Sequence, residues 1–411
     1  MKFTFILLSF FTFIIIDSSN LYAQRGCTDP NATNYDPSAK VNDGSCMYPE
    51  TKINPTVTAE MGAEIPESSG LVYTNGKLWT HNDSGNPNTI FSIDTSNGKT
   101  LQTVYIDNFT NTDWEDITAD SDFIYVSDCG NNNGDRKDLK ILKIAKKDIG
   151  NGTTVHVNAS AINISYADQT VFTISSTHNF DCESVLSIGN FLYLFTKDRG
   201  DLQTRVYKVS KTPGTYSLTY YISFNANGLV CGADYDPVKK EVALVGYFKG
   251  HLNSFVWIFN EFVNDSFFNG NKRRIEIGDG TEWQTEGICY RSTGKLFISC
   301  ESAGKYANST LFSTEKSVWE KHLTSGINEF MPKIAATIYP NPTNKIIHID
   351  LEVPDSHILI INQFGQTIYS KNASSKNVLI NTDELNYSDG VFELIIESAL
   401  GLNKYRLGLY H

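Results

Sequence analysis

Four glutamates, Glu67, Glu115, Glu183 and Glu286, each open a short apolar-alternating run that turns and comes back. With Cys231 in the same place in a fifth run, their spacings are 48, 68, 48 and 55 residues. A carboxylate repeated at one position of a repeated hairpin can be gathered by the fold into one spot. There it can ligate a hard cation or serve as a general acid or base. Crowded carboxylates raise one another's pKa unless a cation or a basic side chain intervenes. Glu67, Glu115, Glu183 and Glu286 are therefore the candidate metal ligands, with calcium the candidate cofactor, and Arg136, Lys197 and Arg199 are the alternative neutralisers. Glu115, Asp116, Glu183, Glu286 and His81 are the candidate catalytic groups. The competing interpretation is structural: a polar residue at a strand start caps backbone groups.

The loops that follow each hairpin carry the remaining candidates. Asp83, Asp128, Lys197, Asp198, Arg199 and Glu301 stand just after the returning strands. The loop Asp128-Cys-Gly-Asn-Asn-Asn-Gly-Asp135-Arg136 is dense in oxygen ligands and in residues that tolerate φ > 0. Its Asp128, Asn131, Asp135 and Arg136 make it the leading candidate binding loop. Other chemistries lack their signatures, since the sequence has no His-Glu-x-x-His, no Gly-Lys phosphate loop and no Gly-x-Ser-x-Gly elbow. The eight histidines do not form a zinc spacing. His81 and His178 lie near inner-strand starts, where a lone histidine is more often structural than catalytic.

These positions imply the elements that hold them. Each run of the type Glu183-Ser-Val-Leu, a turn at Gly189-Asn190 and Phe191-Leu-Tyr-Leu-Phe-Thr reads as a hairpin. A third alternating strand follows each one, as in Leu139–Ile144 and Arg205–Val209, and often a fourth, as in Leu101–Ile106. Units of this length with four strands predict the blades of a β-propeller over residues 50–328. Five blades are visible. The long 68-residue interval, with strand-like runs at Ile162–Tyr166 and Val171–Ile174, has room for a sixth. A β-sandwich is the rival architecture. In a propeller the starts of the inner strands and the loops after the second strands share one face, so the acidic residues should ring one mouth of the channel.

Residues 1–23 read as a secretory signal peptide, with Lys2 before an apolar run from Phe3 to Ile16 and a small-residue site at Ala23. That run is shorter than the ~20 residues a bilayer span needs. No later stretch suits a membrane span, so none is expected in the mature chain. A net charge of −12 supplies no basic stripe, which excludes nucleic acid as a partner. Residues 24–49 contain too few apolar groups for a core and need a Cys27–Cys46 disulfide. Their Asp and Asn residues suit turns better than a calcium loop. Seven cysteines in an exported chain leave at least one thiol over. Cys289 with Cys300 and Cys129 with Cys182 are the further candidate pairs, leaving Cys231 free and buried.

Three resemblances add to this. The Cys-bounded segment resembles short modules of secreted surface proteins of Bacteroidota. Trp114-Glu115-Asp116-Ile117, His81-Asn82-Asp83-Ser84-Gly85 and the 128–136 loop resemble exported bacterial propellers related to phytase-like and esterase-like propellers. That resemblance implies calcium on Glu115, Asp116, Glu183 and Glu286, with Lys197 and Arg199 on phosphate. Cys231-Gly232 departs from it. Residues 329–411, a small β-sandwich with Tyr339-Pro340-Asn341-Pro342 at its start, an Asn362-Gln-Phe-Gly-Gln366 turn and a Gly390-Val-Phe392 strand, resemble the C-terminal sorting domain of the type IX secretion system. The expectation is an all-β protein, a five- or six-bladed propeller followed by a β-sandwich. It is exported through the periplasm by the type IX machinery and secreted or held at the outer surface. Its role is to bind a surface glycan, a phosphorylated small molecule or a protein. The alternative is a calcium-dependent phosphoesterase.

Overall fold

The computed structural model describes residues 23–410 except 249–252, 279–283, 293, 303–306, 321–335, 352, 353, 355, 363–366, 386, 388, 399 and 400. The signal-peptide stretch, the linker near Thr324–Lys333 and the Phe364-Gly365-Gln366 turn lie outside the described residues. The chain divides into two units, one ending at Trp319 and one running from Glu320.

Alternating apolar residues make strand the dominant element of the first unit, and its described residues form five sheets of four or five strands beside a two-stranded pairing of Arg25–Gly26 with Val41–Asn42. The first strands of the five are Ser68–Thr74, Asp116–Ala119, Cys182–Ile188, Leu229–Asp236 and Thr285–Ser292. Each neighbours the next and the fifth returns to the first, so the sheets close a ring as propeller blades. Five separate apolar cores fill the five gaps between blades. Val72, Trp79 and Ile90 meet Ile117, Val126 and Leu142 in the first gap, and Leu71, Phe91 and Ile93 meet Cys289, Phe297 and Leu311 in the last. The closing strand comes from the other end of the unit: Thr56–Glu60 pairs antiparallel with Thr310–Glu315 on the fifth blade.

The interval with room for a sixth blade supplies edge strands instead. Thr154–Val157 adds in parallel to the outer edge of the first blade, Ser160–Tyr166 is the fourth strand of the second, and Gly214–Leu218 adds in parallel outside it. Residues 171–174 are not strand. Lys52–Ile53 caps the fourth blade in the same way. Covering an edge this way satisfies backbone groups that would otherwise invite foreign strands.

The Cys-bounded segment packs on the fourth blade. Its Cys27–Cys46 disulfide is formed, Asn42 Nδ2 donates to Asn271 Oδ1 at 2.7 Å, and Arg273 stacks over Tyr48. Asp29, Asp36 and Asp43 accept from backbone N–H groups two residues on, as turn formers do. The other expected disulfides are absent. Cys289 is opposite Phe297 and Cys300 opposite Thr285, and their side chains enter different interblade cores, so the sheet lies between them. Cys129 and Cys182 share the core between the second and third blades as free thiols.

The second unit has a three-stranded sheet (Ala336–Tyr339, Ile346–Leu351, Asn377–Asn381) and a four-stranded one (Thr367–Ala373, Ser356–Ile361, Gly390–Ser398, Gly401–Leu409). Ile347, Ile349, Ile358, Ile360, Leu394 and Leu407 fill the core between them. Asn341 ties its opening turn to the last strand, donating to Arg406 O at 2.6 Å and accepting from Gly408 N at 2.9 Å.

Near the mouth the first strands run so close that a side chain has no room at some positions. A Cβ on Gly232 would stand 2.3 Å from Glu286 O on the next blade. Gly232→Ala is therefore expected to destabilise by about 1–3 kcal/mol, the usual range for overpacking. Urea unfolding that leaves the midpoint unchanged would mean that the inner ring is looser than described.

Candidate functional site

Hydrogen bonds at the strand ends fix which residues are equivalent. Asp83 N donates to Glu67 O at 3.0 Å, Gly130 N to Asp113 O at 3.1 Å, Lys197 N to Asp181 O at 2.7 Å and Glu301 N to Gln284 O at 3.0 Å. Glu67 is thus equivalent to Asp113 and Asp181, and it is Ser69 that shares a rung with Glu115, Glu183, Cys231 and Glu286. The 48-residue register through Glu67 is off by two. In four blades this rung coincides with a bulge, between Ser68 and Leu71, Cys182 and Ser184, Val230 and Gly232, and Thr285 and Ile288. A bulge turns its extra residue out of the ladder, here toward the channel mouth.

Three rungs therefore meet at one mouth: Glu67, Asp113 and Asp181 before the first strand, Glu183, Cys231 and Glu286 in it with Glu115 immediately ahead of it, and Asp83, Gly130, Lys197 and Glu301 after the second. Among the described residues, three groups have donor atoms within 4.8 Å of one another: Asp83, Asp113 and Glu115; Glu115, Asp181 and Glu183; and Glu183, Cys231 and Glu286. Glu115 and Glu286 are each 4 % exposed, and Glu115 Oε1 and Glu286 Oε2 have no hydrogen-bond partner. Gly130 makes room for this, since a Cβ there would lie 2.1 Å from Glu115 Oε1.

The cations are unevenly placed. Lys197 Nζ sits 3.0 Å from Glu183 Oε2, and Arg199 Nη2 sits 2.9 Å from Asp181 Oδ2 and 3.6 Å from Glu183 Oε1. Arg136 reaches Asp113 only at 4.0 Å and is committed to Asp128 at 3.0 Å. The electrostatics follow. Burial, then Glu183, Asp83, Asp113 and Asp181, push Glu115 well above the ordinary carboxylate range. Burial, then Asp83 and Asp181, raise Asp113 to about 6. Burial, then Glu286, Asp83 and Glu67, raise Glu301 to about 9.

Several expected site residues are occupied elsewhere. Asp116 is fully buried below the mouth; its Oδ1 accepts from Ile117 N and its Oδ2 from Val185 N at 2.8 Å and Ala233 N at 3.4 Å, stitching three first strands together. His81 is fully buried, its Nδ1 paired with Asn82 O at 3.0 Å and its ring edge-on to Trp114, and burial lowers it to about 4. Asp198 pairs with Arg205. Asp128 pairs with Arg136 and Lys140. Asn131 donates its backbone N–H to Asp181 Oδ1 at 2.7 Å and its Nδ2 to Phe180 O, so the 128–136 loop orients Asp181 rather than presenting ligands. Asp135 is exposed. Asp113 and Asp181, absent from the expected ligands, are central here. The repeated Asp-x-Glu of Asp113-Trp114-Glu115 and Asp181-Cys182-Glu183 was the signal for both.

Comparison with known proteins gives three findings. Residues 337–405 match the family described as the secretion system C-terminal sorting domain. The C-terminal unit carries a type IX secretion sorting domain. That tail directs secretion through the type IX system to the cell surface or the extracellular space. Among solved structures, PorZ, an essential bacterial surface component of the type-IX secretion system of Porphyromonas gingivalis, is 12% identical with a TM-score of 0.30, over 90% of this chain and 48% of that one. The chain thus spans about half of PorZ. The GH43 endo-arabinanase of Bacillus licheniformis is 12% identical with a TM-score of 0.41, over 64% and 96%. A 29-residue stretch is 62% identical to the chloroplastic ribulose bisphosphate carboxylase/oxygenase activase 1 of Larrea tridentata, 7% of this chain and 6% of that one. Among the described residues no helix is long and apolar enough to cross a membrane.

The raised carboxyls fix a pH dependence. A group whose folded pKa is raised stabilises the fold below its unfolded pKa, and that contribution is lost as pH rises through the folded value. For Asp113 that window runs from about 4 to about 6 and for Glu301 from about 4.5 to about 9. In chelator, the thermal midpoint of the full chain should rise between pH 8 and pH 5, and the rise should shrink in Glu301→Gln. Equal slopes for the two proteins would mean that the mouth carboxyls titrate normally.

Proposed function

We propose that this protein is an exported binding module whose channel mouth takes a hard divalent cation, calcium, and through it an oxygen-rich ligand such as a surface glycan. The observation that carries this reading is the Asp83, Asp113 and Glu115 group. Its donor atoms converge within 4.8 Å, it includes the unpartnered Glu115 Oε1, and its ion-pair partner among the described residues, Arg136, stands 4.0 Å from Asp113 and is committed to Asp128 at 3.0 Å. Calcium prefers oxygen ligands and several carboxylates, so this donor set fits it. It would lower the raised pKa values by supplying the missing positive charge. The glutamates do not act as one symmetric ring, because Glu183 is already satisfied by Lys197 and Arg199 and Glu67 lies a rung away.

A second reading, a calcium-dependent phosphoesterase, is favoured by one detail. Arg199 keeps its side chain 23 % exposed beside Glu183 and Asp181, where it could meet a phosphate as well as hold them.

Calcium at a hundredfold excess over its dissociation constant should stabilise the full chain by about 2.7 kcal/mol. That gain is expected to vanish in Glu115→Gln and to persist in Glu67→Gln. Calorimetric titration showing no calcium uptake by the metal-stripped protein would end the binding reading. Calcium-dependent phosphate release from phytate or a simple phosphomonoester, lost in Glu115→Gln, would replace it with the hydrolase.

A further inference from the structure

We propose that Glu183, Cys231 and Glu286 form a second metal seat, for a thiophilic divalent cation of the zinc class, separate from the oxygen-only group at Asp83, Asp113 and Glu115. The three residues occupy the same rung of three consecutive blades, and their donor atoms lie within 4.8 Å of one another. In a tetrahedral zinc site with Zn–S and Zn–O bonds of about 2.3 and 2.1 Å, neighbouring donors stand about 3.5 Å apart. Closing that gap asks for movements of about an ångström, which the two-methylene stems of the glutamates can supply.

Two further observations point to a ligand here. Glu286 is 4 % exposed, yet its Oε2 has no hydrogen-bond partner. A buried carboxylate oxygen left unpaired costs the full desolvation of that atom, and a metal removes the cost. Cys231 is the one thiol of the five in the propeller that stands on the mouth rung. Its Sγ makes a weak contact to Leu229 O at 3.4 Å in its own strand and meets the Glu286 carboxyl, another member of the proposed seat.

The charges also balance. A thiolate and two carboxylates bring three negative charges. A divalent cation and the Lys197 ammonium, 3.0 Å from Glu183 Oε2, bring three positive ones, while the charge of Arg199, 3.6 Å from Glu183 Oε1, is matched by its closer partner Asp181 at 2.9 Å. Binding exchanges the thiol proton for the metal, and the proton leaves to solvent. Three protein ligands leave the fourth position open, the arrangement that lets zinc bind an incoming oxygen or a water. Calcium does not compete for this seat on equal terms, because sulfur is a poor ligand for a hard cation. The inference therefore stands apart from the calcium reading.

The test uses the full chain, reduced and stripped of metal, titrated with cadmium and with cobalt(II). A thiolate-to-metal absorption should grow to a single equivalent, yield to added zinc and survive excess calcium. Cys231→Ser should remove it and Cys129→Ser should not, while Glu286→Gln should shift its midpoint to higher metal concentration. Circular dichroism confirms that each variant is folded, and Cys231→Ala stands in if the serine is not. A calcium response retained in Cys231→Ser keeps the two seats distinguishable. Absorption that persists in a folded Cys231→Ser, that never appears in the wild type, or that calcium displaces as readily as zinc would overturn the proposal.

Discussion

The close approach of the five first strands governs everything at the mouth. Where they converge, the residue after the mouth rung is Gly70, Gly232 or Gly287 in three blades, Ser184 in another and Asp116 in the last. At Gly70 a Cβ would meet Ile117 N at 2.5 Å, and at Gly287 it would meet Leu71 Cγ at 2.7 Å. The Asp116 side chain is accommodated because it becomes part of the closure, accepting from the backbones of the third and fourth blades. A ring this tight, bulged at its start, turns one residue per blade into a small space. The acidic character of that space is then a consequence of side-chain identity, and its raised pKa values are a consequence first of burial and then of how close the carboxylates stand.

Charge is distributed around this ring unequally. Its rung after the second strand reads Asp83, Gly130, Lys197 and Glu301 in the first, second, third and fifth blades. One position of the architecture thus holds an acid, a void and a base. The void at Gly130 lets Glu115 and Asp113 lean together, whereas the base at Lys197 neutralises Glu183 from its own blade. The mouth is therefore divided. The second and third blades carry all three of Arg136, Lys197 and Arg199, and the sector from Glu286 through Glu301 to Asp83 has no basic side chain at these rungs.

Much of this was legible in the chain. Strand alternation and the roughly 50-residue interval gave the blades and their common mouth, because a period of two and a repeated hairpin are local properties. Register was harder. In the first blade Glu67 looked equivalent to Glu115, yet Ser69-Gly70 is the true match to Cys231-Gly232 and Glu286-Gly287, and the shared glycine was the usable clue. Asp116 and His81 looked reactive because nothing local tells a carboxylate that coordinates a ligand from one that closes a ring, or an imidazole at a strand end from one inside a core. Sequence adjacency also suggested Cys289 with Cys300. The alternation of a strand forbids it, since positions 289 and 300 project from opposite faces of the hairpin.

Sulfur follows the same logic of burial. The 24–49 segment cannot bury enough apolar surface to hold itself, and there the two cysteines are joined. Inside the propeller, Cys129, Cys182, Cys289 and Cys300 are small apolar fillers of interblade cores, where strand packing already fixes the fold and a crosslink would add little. Cys231 instead packs with Leu229 and Tyr247 of its own blade, in a small apolar cluster apart from the interblade cores. It occupies a rung on which the other strands place Ser69, Glu115, Glu183 and Glu286, all bearing oxygen, and it faces Glu286 rather than a neighbouring blade's core. A filler would be better served by alanine or valine at that point, free of the penalty of a thiol among buried carboxyls. The residue is best understood by what a thiolate can do beside two carboxylates and a lysine, which is to hold a cation that oxygen alone would hold less selectively.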